Sequence, residues 1–109
     1  MEITFKDKKL KKLCEQHTKA TTTLGADGAK KLRTRLADLL AAESVQDLVA
    51  GHPHPLKGDR YGQFSVNLSK GKRLVFISAN EPIPQKEDES IDWAQVTKVC
   101  IVFIGDYHD

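Results

Sequence analysis

Apolar and polar positions alternate at the start of the chain. Glu2 to Asp7 places Ile3 and Phe5 on one side, the period of a half-buried strand. From Lys8 the spacing changes: Leu10, Leu13, Cys14 and His17 recur at helical intervals, which predicts a helix from Lys8 to about His17 with Asp7 as its cap. Thr18 to Gly25 is β-branched, polar and closed by glycine, and reads as a loop. Asp27 is placed to cap a second, stronger helix running to about Glu43. Its apolar stripe is Ala29, Leu32, Leu36, Leu39 and Leu40, and its other face carries Lys30, Lys31, Arg33 and Arg35. Ser44 and Asp47 are spaced like a capping box for one further turn, which Gly51 ends.

The rest of the chain carries strand signals. His52-Pro53-His54-Pro55 cannot be helical, because the prolines forbid it, and both histidines are expected to be extended. A turn with two glycines, Lys57 to Gly62, leads into a clean alternation over Gln63 to Ser69. Phe64, Val66 and Leu68 face one way; Gln63, Ser65 and Asn67 face the other. Lys70-Gly71 is a two-residue hairpin turn, and Lys72 to Ser78 is the partner strand, with Leu74 and Phe76 opposite Arg73, Val75 and Ile77. Ala79 to Gln95 is a long acidic loop. Val96 to Gly105 is apolar on both faces, as an interior strand is.

Strand, two helices, then a three-strand meander defines an α+β fold with the helices packed on one face of a mostly antiparallel sheet. The face bearing Gln63, Ser65, Asn67 and Arg73 is expected to be a free polar working surface. With 109 residues, the chain forms a single domain over residues 1–109. No apolar run approaches the ~20 residues of a membrane span, and the N-terminus has no apolar signal core, so a cytoplasmic protein without membrane contact is expected. Cys14 and Cys100 sit far apart in apolar contexts and read as reduced core thiols.

The net charge of +2 conceals a segregation. Residues 51–79 carry five Lys/Arg against one Asp/Glu, whereas residues 80–109 carry two against seven. A segregated basic surface suits a polyanion; it also merely keeps helices soluble.

Three histidines fall at unusual places. His52 and His54 lie on the proline-stiffened loop, and His108 follows Asp106 and Tyr107 beyond the last strand. Two imidazoles can act as base and acid, an aspartate can orient one of them, and Arg73 and Lys57 offer fixed positive charge to a phosphate. That is the set needed to cut RNA by attack of its own 2′-OH, without a metal. The alternatives are a metal site from His52, His54, His108 and Asp106, or a polar tail with no role. No serine or cysteine sits in a nucleophile elbow, and no phosphate-cradling loop is present.

His54-Pro55-Leu56-Lys57-Gly58-Asp59-Arg60, then Gly62-Gln63 with Ser65-Val66, Arg73-Leu74 with Phe76, and finally Asp106-Tyr107-His108, together resemble the HigB toxins of the RelE/ParE superfamily of toxin–antitoxin modules. The resemblance covers nearly the whole chain. It implies a RelE-like fold, a messenger-RNA endoribonuclease acting in the ribosomal A site, no cofactor, and a HigA-like helix-turn-helix antitoxin as partner. Residue by residue, it makes His54 an acid/base, Arg73 the phosphate ligand, and Asp106, Tyr107 and His108 lining of the same site. Lys57 and Arg60 join Lys30, Lys31, Arg33 and Arg35 as expected RNA or ribosome contacts. His52 has no counterpart and is taken as a bystander. The acidic loop departs from the family pattern, as does Asp109 after the Asp-Tyr-His. The rival functions on such a fold are a gyrase-directed toxin and a catalytically silent binding module.

Overall fold

A computed structural model describes residues 1–106. Its first strand, β1 (Glu2–Phe5), is followed by α1 (Lys8–Glu15) and the long α2 (His17–Ala41). The Asp7 carboxylate accepts the Leu10 backbone N–H at 2.9 Å and so caps α1 as its position predicts. α1 buries Leu13 and stops before His17, because Gln16 is extended.

The loop expected over Thr18 to Gly25 is helix instead. The Thr21 and Thr22 hydroxyls bond back to the carbonyls of His17 and Thr18 at 2.9 and 3.0 Å, keeping their polar groups within the helix. Ala20 and Leu24 meanwhile enter the core. Gly25 still punctuates the chain: at φ 80° and ψ 169° it interrupts α2, so residues 17–24 and 26–41 are two helical runs across a kink. Asp27 therefore lies in the first turn of the second run rather than at its cap, where a carboxylate suits the helix dipole. The kink brings Leu24 over Gly28, where an added Cβ would stand 2.8 Å from the Leu24 Cβ.

The expected stripe is narrower than its sequence suggests. Leu32 and Leu39 are fully buried, Leu36 only partly, and Leu40, at the stripe's edge, is 63% exposed. The Met1 ammonium caps the far end of α2, donating to the carbonyls of Leu39, Leu40 and Ala42 at 2.8–2.9 Å. Positive charge there answers the negative pole of the helix. The turn after α2 is held as a capping box, with the Ser44 N–H donating to Asp47 at 3.2 Å.

Four more strands complete the sheet: β2 (His54–Pro55), β3 (Gln63–Asn67), β4 (Arg73–Ser78) and β5 (Lys98–Gly105). Their order is β1-β5-β4-β3-β2, with β1 parallel to β5 and all other pairs antiparallel. β5 is thus interior. β2 is a strand where the prolines predict only an extended loop; Pro55 is tolerated because β2 is an edge. The β3–β4 turn has φ 53° at Lys70 and 80° at Gly71, the left-handed pair that a twisted hairpin favours, and Lys72 N–H closes it on Ser69 at 3.1 Å. Phe64, Val66, Leu74, Phe76, Val99 and Ile101 form the helix-facing core. On β5, Phe103 pairs with Val75 and Ile101 with Phe76, so Val102 is an extra residue in a bulge. The bulge shifts the alternation and turns Ile104 back toward the core.

The acidic stretch is ordered. Asn80 closes its neck, its side chain accepting from Thr97 N–H (3.0 Å) and Lys98 N–H (3.1 Å) and donating to the Thr97 hydroxyl (3.0 Å). Gln85 bridges Ile91, and Trp93 packs on Phe64 with ring centroids 4.9 Å apart. Among the described residues no helix is long and apolar enough to cross a membrane. Cys14 and Cys100 are free thiols; burial, with Glu15 adding to it, pushes the Cys14 thiol up to about 12.

Candidate functional site

Strand register assembles the site on the sheet face away from the helices. His54 pairs with Ser65, Ser65 with Val75, and Val75 with Phe103, so one row crosses four strands. A parallel row runs Asn67, Arg73, Gly105. His54 and Arg73 therefore share a face, two strands and two residues apart, or about 12 Å between their Cα atoms. The floor between them is not the open polar surface expected from the alternation. Ser65 and Val75 have no solvent exposure, and the Ser65 Oγ and Asn67 Oδ1 are buried without a hydrogen-bond partner. A buried floor of low dielectric strengthens the field of a cation at its rim.

His54 is held by its own loop. Its Nδ1 lies 2.8 Å from the His52 carbonyl oxygen. A carbonyl can only accept, so Nδ1 carries the proton, and the lone pair of the neutral ring sits on Nε2. His52 is not extended: its φ is 51°, following Gly51 at 85°. That left-handed step aims the carbonyl at the ring and brings the two imidazoles to 4.6 Å between centroids. His52 thus contributes a main-chain atom, which no side-chain motif announces.

The remaining expected residues divide between surfaces. Arg73 is half-buried and makes one long bond, 3.4 Å, to the Lys72 carbonyl. The Asp106 carboxylate follows Gly105 and lies 4.0 Å from where a Cβ on Gly71 would stand, at the Arg73 end of the face. Tyr107 and His108 lie outside the described residues. The Arg60 guanidinium stands 5.2 Å over the Phe103 ring and donates to Gln63 Oε1 at 3.1 Å. Lys57 is exposed on the loop after β2, and Lys30, Lys31 and Arg33 are exposed on α2, with the sheet between them and His54.

Arg35 does not belong with those helix cations. It is 9% exposed, its Nε donates to the Asn67 carbonyl at 2.9 Å, and its NH1 meets Asp38 at 3.4 Å. A backbone carbonyl at the end of β3 needs a donor, and Arg35 reaches down from α2 to supply it. Among the described residues no three His, Cys, Asp or Glu side chains gather into a metal-holding group.

A sheet of this order, backed by two N-terminal helices, recurs in known structures. No family model and no curated protein matches the sequence. Solved structures do. A YoeB/ParE toxin from Agrobacterium tumefaciens superposes with a TM-score of 0.58 at 15% identity, over 99% of this chain and 100% of that one. The YoeB–YefM complex from Staphylococcus aureus gives 0.59 at 16%, and a YoeB dimer from the same organism 0.54 at 18%, each over 100% of this chain and 98% of the other. At these identities the likeness is one of fold.

Proposed function

We propose that this protein is the toxin of a toxin–antitoxin module and a metal-independent messenger-RNA endoribonuclease acting in the ribosomal A site. The carrying observation is the His54 Nδ1–His52 carbonyl bond, which leaves Nε2 as proton acceptor on the face that also bears Arg73. In the proposed reaction one imidazole removes the 2′-OH proton, the 2′ oxygen attacks the phosphorus, and the 5′ oxygen leaves with a proton from the other. Arg73 balances the charge on the phosphorane. His54 and His108 divide the acid and base roles, and Asp106 and Tyr107 complete the site. A partner antitoxin follows from the module; the HigB motif favours a HigA-like one, whereas a structural neighbour is solved with YefM. Lys30, Lys31, Arg33, Lys57 and Arg60 are proposed contacts to RNA.

The test compares naked message with programmed ribosomes. Cleavage is expected to be fast only on ribosomes and to leave a 2′,3′-cyclic or 3′-phosphate and a 5′-hydroxyl. Equal rates in both would sink the A-site reading, and a 5′-phosphate would require a water nucleophile. The neighbour named as a YoeB/ParE toxin favours one second reading, a toxin that acts by binding alone, as a gyrase-directed one does. Arrest of growth by the His54→Gln protein would select it.

A further inference from the structure

The acidic excursion does not simply loop into solvent. It folds back beside the turn that follows β2, and the two enclose a groove of about 290 Å³. Its lining includes Tyr61, Ile91 and Trp93, with Lys57 and Lys86 contributed from opposite sides. Trp93 is fixed from behind by Phe64, whereas Tyr61 is 66% exposed and uncommitted to the core. Exposed aromatic surface beside two cations has a definite chemistry: a flat ring stacks on the aromatics while a phosphate meets the ammonium groups.

We propose that this groove is a nucleotide subsite, taking one unpaired base of an RNA strand whose adjoining phosphates meet Lys57 and Lys86. The proposal rests on the ribonuclease reading and extends it to a position outside the reacting phosphodiester. Three features favour a single nucleotide over a protein segment. The volume is at the bottom of the range for small-ligand pockets, too short for the repeated anchors of a docked helix. The cations match phosphate. Beyond Lys86, the exposed Glu87, Asp88 and Glu89 repel a polyanion and stop the strand from running on along the tip. The groove lies just across the β2 edge from the proposed reaction face. Pro55 lines it, and Pro55 is the residue after His54 on a two-residue edge strand, its side chain on the opposite face. A strand crossing that edge reaches both.

Trp93 is the only tryptophan, so intrinsic fluorescence reads the groove directly. The probe is a short 2′-O-methyl oligoribonucleotide, which cannot be cut, added to the full chain without ribosomes. Saturable quenching is expected. Tyr61→Ala, at an exposed position, should weaken binding about five- to a hundred-fold, the worth of one stacked base. Lys57→Gln and Lys86→Gln should each flatten the salt dependence by about 0.7 in logarithmic slope. No quenching, or quenching indifferent to Tyr61→Ala, overturns the subsite and returns the groove to a protein partner. The ribonuclease reading fails separately: full cleavage by His54→Gln with Tyr61-dependent quenching intact removes His54 from the chemistry and leaves the subsite standing.

Discussion

Arg35 Nε donates to the carbonyl oxygen of Asn67 at 2.9 Å, and Asn67 N–H in turn donates to the Gly51 carbonyl at 2.7 Å. One buried guanidinium therefore ties α2 to the end of β3 and to the segment that begins the His52–His54 loop. Gly51 is required over it: at φ 85°, a Cβ there would stand 2.6 Å from Arg35 Nε. Arg35→Ala is expected to cost about 2–3 kcal/mol in urea unfolding, the loss of a charged buried hydrogen bond plus stem packing. Arg33→Ala, on the exposed side, should stay within about 0.5 kcal/mol. Equal effects would show that Arg35 is a surface residue after all.

Replacing His54 by Gln should lower cleavage about 10²–10⁴-fold, the usual size of acid–base assistance. His52→Gly makes a sharper contrast. It keeps the carbonyl that holds Nδ1 and relieves a left-handed non-glycine residue, so cleavage should persist and stability should hold or rise by up to about 1 kcal/mol. Loss of activity in His52→Gly, restored by added zinc, would instead make the two imidazoles metal ligands.

Charge reversal of Lys30, Lys31 and Arg33 to Glu should weaken co-sedimentation with ribosomes strongly, and more at low salt than at high. Leaving Arg35 intact keeps the fold out of the measurement. Unchanged pelleting would mean that these cations only solubilise α2.

The Cys14 thiol is held up to about 12, mainly because burial disfavours the thiolate. Iodoacetamide at pH 8 should therefore leave Cys14 unmodified in the folded protein and alkylate it in urea. The unfolded thiol ionises first as pH rises, so stability is unaffected below the ordinary thiol range and declines between that range and about 12. Rapid native-state labelling mapped to Cys14 would contradict its burial.

Gly28→Ala should destabilise by about 1–3 kcal/mol, since the new methyl meets Leu24 Cβ at 2.8 Å across the kink of α2. The usual helix preference for alanine over glycine would push the other way. A gain in thermal midpoint would show that the two halves of α2 part easily.

Local rules carried far along this chain. Asp7 caps, Lys70-Gly71 turns, and the Phe64/Val66 alternation selects the core face, because each depends on neighbours within a few positions. Thr18 to Leu24 misleads because its helix depends on Ala20 and Leu24 finding a core, while the threonine hydroxyls merely bond back within it. Arg35 misleads because its partner carbonyl lies 32 residues away. The His52 carbonyl, the Val102 bulge and the burial of Ser65 and Val75 are matters of backbone and register, to which side-chain patterns are blind. The aromatic groove needed the acidic excursion folded before Tyr61 and Trp93 could be seen as neighbours.

β5 lies between β1 and β4 and joins residues as distant as Glu2 and Lys98. During synthesis β1 emerges first and has no strand to pair with until nearly a hundred residues later. Phe103 and Gly105, which complete both rows of the His54–Arg73 face, arrive with that same strand. A nascent chain short of β5 thus has its histidine loop and hairpin but neither a finished sheet nor a finished site. The topology delays maturation of the working surface until the segment that completes the sheet has been made.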